Sequence, residues 1–286
     1  MSTLETSTRP ALAELPLTEN RPTSGWRPRL DFRELWSYRD LAAILAGRTL
    51  KLRYKQTAIG IGWVVLQPLI AIAIFSVIFG KLADLPSEGL PYPVFAMAGL
   101  AFWLYFASAV REGAECLVVD RDLVTKTYFP RILAPVAATL PALLDLSVVL
   151  VIAGVMLAAY EVAPPVEIVL LPAWIIAGVV VALATSLWLS ALNVLYRDVR
   201  YALPFMIQVW LYASPVVFPS SLFDGLDRWL YSLNPVVGVI DGFRWSLLGA
   251  PAPPTADLVC AAVTLVLLVT GVLYFQRVQK HFADQI

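Results

Sequence analysis

Residues 168–200 read IVLLPAWIIAGVVVALATSLWLSALNVLY and then RDVR. The first part carries no charge and is longer than the roughly 20 apolar residues that a helix needs to cross a bilayer. The second part places two arginines directly at its end. Because positive charges collect on the cytoplasmic side of membrane proteins, this stretch predicts a membrane-spanning helix whose carboxyl end faces the cytoplasm.

Five further apolar runs resemble this one, and only the run from Ile132 to Tyr160 contains a charged residue, Asp145. The six runs predict six transmembrane helices of an all-α polytopic protein. They are Gln56 to Gly80, Gly89 to Val110, Ile132 to Tyr160, Ile168 to Tyr196, Tyr201 to Phe223 and Leu258 to Gln276.

The basic residues fall on one side of this arrangement. Of the 21 Lys and Arg residues, all but Lys81, Arg228 and Arg244 lie in segments that share the side of the amino terminus. The bias predicts that both termini are cytoplasmic.

The composition excludes an ordinary soluble protein. Hydrophobic residues make up 59% of the chain and charged residues 15%, against about 45–50% and 25% in soluble domains. We expect one transmembrane domain over residues 56–276, preceded by a disordered cytoplasmic tail at 1–30 and followed by a cytoplasmic segment at 277–286.

Two segments outside the spans have helical patterns. Residues 31–48 predict an amphipathic helix on the cytoplasmic leaflet, or alternatively a solvated helix that packs on a partner subunit. Between spans five and six, residues 221–233 and 235–248 predict two half-depth, re-entrant outer helices. Asn234 suits the cap of the second helix and Pro235 its first position.

Catalytic chemistry finds little support in the chain. It has no G-x-x-x-x-G-K-[S/T] phosphate loop, one histidine (His281) and two distant cysteines (Cys116 and Cys260). We therefore expect no catalytic residue, no metal site, no cofactor on this chain and no nucleic-acid partner.

Asp145 is the one carboxylate within a span, four residues after Pro141. An intramembrane acid is a functional candidate. It can equally bond a backbone group that the proline leaves free.

Two other groups are candidates for contact with a substrate. Arg48, Lys51, Arg53 and Lys55 form a dense basic run that could bind a lipid phosphate or simply orient the chain. Trp103, Tyr105 and Phe106 could stack on sugar rings, although helix packing explains such a cluster as well.

Five ordered motifs resemble one family, the ABC-2 type permeases that export polysaccharides. They are Leu52 to Thr57 with Gly60, Trp63 and Leu66 to Leu69; Val124 to Lys126 with Tyr128 to Arg131; Asn193 to Arg200; Ser214 to Val217; and Asn234-Pro235 with Gly242 to Arg244. The resemblance extends from about residue 31 to residue 276.

The resemblance implies a multi-pass protein of the bacterial inner membrane that forms a homodimeric channel for a polyprenyl-linked glycan, such as an O-antigen, capsule or teichoic acid. Two separate ATPase subunits would bind ATP and Mg²⁺. It implies that residues 31–48 are the interface helix, and that the outer helices form a gate with Asn234, Pro235, Asp241 and Arg244. Asp120, Arg121, Asp122, Lys126, Tyr128 and Phe129 would couple the channel to the ATPase.

Three alternatives remain open at this point. The cargo could be a drug or a lipid, as for other ABC-2 permeases. The chain could instead be a membrane-embedded transferase that uses Asp145 or outer carboxylates, or a proton-coupled transporter in which Asp145 titrates.

Overall fold

The computed structural model describes residues 32–55, 62–121 and 129–282. Within these ranges the regular structure is entirely helical. The predicted all-α fold is therefore confirmed. The tail at 1–30 and the start of the first predicted span lie outside the described residues.

The helices follow the apolar runs with shifted ends. They are α1 (Phe32–Ser37), α2 (Arg39–Lys55), α3 (Gly62–Phe75), α4 (Tyr92–Val119), α5 (Leu133–Thr139), α6 (Ala142–Ala159), α7 (Leu171–Leu195), α8 (Asp198–Tyr212), α9 (Gly225–Tyr231), α10 (Pro235–Leu248) and α11 (Asp257–Val278). A π-helical segment, Ser76–Leu82, extends α3, and a 3₁₀ turn, Val166–Leu170, precedes α7.

Five helical segments in the described residues are long and apolar enough to cross a membrane: Gly62–Leu82, Tyr92–Val119, Leu133–Ala159, Val166–Leu195 and Asp257–Val278. The fifth predicted run behaves differently. It forms α8 only as far as Tyr212, and a helix of that length rises about 22 Å against roughly 30 Å of hydrocarbon. The expected count of six spans is therefore not confirmed.

Helix α4 is the core of the bundle. It contacts α3, α5, α6, α7, α8 and α10, and most of its side chains are buried. The sequence predicted that this span ends at Val110, but the helix continues to Val119. Small residues permit the close approach of α7: a Cβ atom on Gly113 would lie 2.4 Å from the Ser186 hydroxyl.

Helix α10 is enclosed by α4, α7 and α11. The Asn234 side chain accepts a hydrogen bond from the Val236 amide at 3.2 Å, and Pro235 takes the first helical position. The predicted start of this helix is therefore confirmed. The first outer helix is shorter than predicted, because residues 220–222 form a 3₁₀ turn before α9. The depth of either helix in a membrane stays a prediction.

The amino-terminal helix is broken and longer than residues 31–48. Tyr38 separates α1 from α2, and α2 continues to Lys55. Ala42 and Leu45 are buried, in the cluster that holds α2 on α5, whereas Trp36 and Ile44 are exposed. Some apolar residues of α1 and α2 therefore pack inside the chain, and others are exposed on its surface.

Candidate functional site

The described residues bring ionisable side chains together at both ends of the bundle. At the end opposite α2, Arg228 Nη2 lies 2.8 Å from Asp241 Oδ2 and 2.5 Å from Asp257 Oδ1. The Ser220 hydroxyl donates to Asp241 Oδ2 at 2.6 Å. We call these four residues the charged cluster. One guanidinium thus joins α9, α10 and the first turn of α11.

The charged cluster is buried, which makes each member depend on the others. Burial raises the pKa of the Asp241 carboxyl above its ordinary value, while the Ser220 hydroxyl and the charges of Arg244 and Arg228 oppose this rise. A buried carboxylate without such partners would lose most of its hydration free energy without replacement. The cluster therefore stabilises one arrangement of α9, α10 and α11.

Arg244 forms a second, neighbouring anchor and is 2% exposed. Its Nη1 and Nη2 atoms donate to the carbonyls of Phe218 at 3.2 Å and Val216 at 3.0 Å. Its guanidinium carbon lies 3.8 Å from the ring centroid of Phe95 on α4. Tyr92 adds a hydrogen bond from its hydroxyl to the Val217 carbonyl at 2.6 Å. Arg244 and Tyr92 thus attach the 216–218 segment to α10 and α4.

Asn234 ties the start of α10 to the end of α8. Its Oδ1 atom accepts from Trp210 Nε1 at 2.9 Å, and its Nδ2 atom donates to the Ala213 carbonyl at 3.1 Å and the Ser214 hydroxyl at 3.0 Å. The predicted gate residues Asn234, Pro235, Asp241 and Arg244 therefore share one structural unit. Their role in gating stays a prediction.

Sequence reasoning missed Arg228, Asp257 and Ser220 as members of this unit. The charge pattern contained a signal for Arg228. The predicted outer segments have only three cations, Lys81, Arg228 and Arg244, so each of them needs a specific reason to be there. Arg228 and Arg244 are buried and bonded within the chain, whereas Lys81 is exposed.

At the α2 end, Arg48 meets Asp120. Arg48 Nη1 lies 2.9 Å from Asp120 Oδ1, so this bridge joins α2 to the carboxyl end of α4. The two residues were predicted for different roles, phosphate binding and ATPase coupling. Lys51 is exposed. The side chains of Arg53 and Lys55 lie outside the described residues.

Only part of the predicted coupling segment is described. Arg121 is exposed, and Asp122, Lys126 and Tyr128 lie outside the described residues. Phe129 is buried in a cluster with Leu117, Leu133 and Phe282. Its ring therefore anchors the end of the connector inside this chain.

The aromatic residues predicted for the sugar path are buried in the core. Phe106 packs edge-on against Trp210 of α8, with 5.0 Å between ring centroids, and Trp103 lies 5.6 Å from Phe106. Tyr105 lies 6.4 Å from Phe102. In this conformation the cluster fixes α4 against its neighbours, and a sugar path along it stays a prediction.

Asp145 lies in the first turn of α6, directly after the turn at Leu140 and Pro141. It is half-buried. A carboxylate at a helix amino terminus interacts favourably with the helix dipole. This placement gives Asp145 a structural role without requiring a catalytic one. No group of three His, Cys, Asp or Glu that could hold a metal occurs in the described part of the chain.

Comparison with known proteins decides the family. The family model described as ABC-2 type transporter matches residues 41–248, well over half of the chain. The chain belongs to the ABC-2 type transporter family. The matched region of this ABC-2 protein includes Arg48, Asp120, Arg228 and Asp241, so it contains residues from both ends of the bundle.

Curated relatives align with nearly the whole ABC-2 chain. It is 30% identical over 258 residues to the O-antigen export system permease protein RfbA of Myxococcus xanthus, which covers 89% of this chain and 98% of the relative. It is 25% identical over 246 residues to a protein of the same name from Klebsiella pneumoniae, which covers 86% of this chain and 94% of that relative.

Proposed function

We propose that this chain is the membrane subunit of an ATP-driven exporter that moves a lipid-linked polysaccharide outward across the bacterial inner membrane. The observation that carries the proposal is the near full-length similarity to O-antigen export permeases from two organisms. The basic end of the bundle, with Arg48 and Asp120, would be cytoplasmic. The end with the charged cluster would face outward.

Energy would come from a separate subunit. The chain lacks a phosphate loop, so two ATPase subunits would bind ATP and Mg²⁺ beneath a homodimer of this chain. Exposed apolar side chains on α3 and α8, including Trp63, Ile70, Phe205 and Val209, support a second copy or lipid as their cover. The export path would run between facing surfaces of the first, second and fifth predicted spans.

Coupling would begin at the α2 end. Closure of the ATPase pair would push residues 120–129 and the interface helices, and the two permeases would rock between two packed states. The Arg48–Asp120 bridge supports this role, because it links α2 to the carboxyl end of α4. The lipid pyrophosphate would then bind near Lys51, Arg53 and Lys55, with Arg48 at the edge of the site.

Purification of the complex tests the proposal. A soluble ATPase should co-purify with this chain, and a lipid-linked oligosaccharide should stimulate its ATP hydrolysis. Stimulation by lipophilic drugs alone would support drug efflux instead. Rapid, ATP-independent translocation by the isolated chain would contradict the proposal.

Charge reversal tests the phosphate site. We expect Arg53→Glu with Lys55→Glu to abolish glycan export while the ATPase still co-purifies, because two anions would repel a pyrophosphate at the cytoplasmic surface. Arg33→Glu in α1 with Arg39→Glu at the start of α2 is the matched control. Normal surface glycan in the Arg53 and Lys55 variant would exclude the phosphate role.

A further inference from the structure

A cavity of about 400 Å³ opens beside the charged cluster. Glu88 comes from the loop before α4, and Ser221 from the 3₁₀ turn at Ser220–Leu222. Asp224 comes directly before α9, and Trp229 lies within α9. Residues 250–256 close the remaining side. Cavities of this size hold small molecules in many proteins.

Both cations of the cavity wall are engaged within the chain, and the two nitrogens that lack a hydrogen-bond partner in the residues that the structure describes, Arg228 Nη1 and Arg244 Nε, are buried. Arg228 bonds Asp241 and Asp257, and Arg244 bonds two backbone carbonyls. The carboxylates of Glu88 and Asp224 complete the charged lining. Among the described residues, the Glu88 carboxylate accepts a hydrogen bond from the Ser221 hydroxyl at 3.2 Å, and a carboxylate has about four acceptor positions. The wall therefore suits a ligand that donates hydrogen bonds and disfavours an anion.

An accessible aromatic face lies in the same wall. Trp229 is 48% exposed, whereas Arg228, the residue before it in α9, is buried. Phe223 lines the cavity as well, and its ring is stacked on Tyr231 with 4.3 Å between centroids. An aromatic face with acceptor oxygens beside it fits a molecule that has an apolar C–H face and a rim of hydroxyl groups.

We propose that this cavity is a binding site for a neutral sugar unit of the exported glycan at the outer end of its path. The sugar ring stacks on Trp229, and its hydroxyls donate to Glu88 and Asp224. The site rests on the proposed export function and adds a selectivity to it: the wall binds uncharged hexose units and repels uronic acid units. It also offers an aromatic sugar contact that is accessible, unlike the buried Trp103, Tyr105 and Phe106.

Ligand-observed NMR on the purified ATPase complex in lipid nanodiscs tests the site directly. The probes are methyl glycosides of glucose, galactose and mannose, compared with methyl glucuronide. We expect at least one neutral glycoside to bind about ten-fold more tightly than the glucuronide, and Trp229→Ala to weaken that binding by about ten-fold. Trp36→Ala, a change of an exposed tryptophan in α1, is the matched control and should bind normally.

Two further variants separate charge from shape. Glu88→Gln with Asp224→Asn should narrow the difference between the neutral and acidic probes, because the amides no longer repel a carboxylate. Equal binding of both probes to the unaltered complex, or unchanged binding in Trp229→Ala at normal thermal stability, would overturn the site. Neither result would affect glycan-stimulated ATP hydrolysis by the complex, which tests the export function separately.

Discussion

Arg228 shows how one side chain can organise the end of a membrane protein. Its guanidinium joins two carboxylates from different helices while it is itself buried. Replacing such a group leaves uncompensated charge in an apolar environment, which costs far more than the loss of an exposed ion pair. The charged cluster is therefore a sensitive point for stability.

We expect Arg228→Met to lower the free energy of unfolding by about 3–5 kcal/mol, because Asp241 and Asp257 would be left buried without their cation. Lys81→Met, which removes an exposed cation from the same end of the bundle, should change stability by less than about 0.5 kcal/mol. Thermal unfolding in detergent measures both. Equal melting temperatures for the two variants would show that the cluster contributes little.

Asn234 allows a finer test, because its two polar atoms have different partners. Asn234→Ala should cost about 1–2 kcal/mol through loss of the helix cap. Asn234→Asp should cost less, since its carboxylate still accepts from the Val236 amide and Trp210 Nε1 but loses the donors to Ala213 and Ser214. Thermal unfolding should rank the unaltered chain first, the Asp variant second and the Ala variant last. The reverse order of the two variants would contradict the cap assignment.

At the scale of single helices, α10 depends on close packing. Gly242 faces Trp174 of α7, and a Cβ atom there would lie only 2.1 Å from the indole ring. Gly154 of α6 has no neighbouring atom within 4 Å of such a Cβ. Replacing glycine by alanine therefore creates a steric clash at position 242 and none at position 154.

Gly242→Ala should destabilise the chain by about 1–3 kcal/mol, because Trp174 must move to admit a methyl group. Gly154→Ala should be neutral or stabilising by up to about 1 kcal/mol, since alanine favours the helix and nothing is displaced. Thermal unfolding of the two variants makes the comparison. A stable Gly242→Ala variant would mean that α7 and α10 are less tightly packed than the structure has them.

The sequence predicted elements that depend on local signals. Asn234 and Pro235 marked the start of α10, and the apolar runs marked the long helices. It could not separate lipid-facing from protein-facing positions, because both are apolar in a membrane protein. The packing of Phe106 on Trp210 of α8, and of Phe102 on Phe243 of α10, joins residues that lie far apart in the chain. The pairing of Arg228 with both Asp241 and Asp257 likewise needs three helices to meet.

At the scale of the whole molecule, variants of the Arg48–Asp120 bridge can show whether Arg48 acts in coupling to the ATPase or in binding the substrate. Arg48→Asp should weaken the coupling of ATP hydrolysis to export, because two carboxylates would then face each other. If the bridge is the cause, adding Asp120→Arg should restore coupling. Arg39→Asp, an exposed position on the same helix, should have little effect. Failure of the double variant to recover would instead assign Arg48 to substrate binding.

The length and packing of α4 have a consequence for the proposed exporter. Asp120 at one end pairs with Arg48, while at the other end Tyr92 bonds the Val217 carbonyl and Phe95 lies against the Arg244 guanidinium. About 42 Å of continuous helix separates these contacts, and α4 packs against α3, α5, α6, α7, α8 and α10. Helix α4 can therefore move as a rigid body. On the proposed function, a displacement at Asp120 would be carried along this one helix to the opposite end of the bundle, with no break in the helix between them.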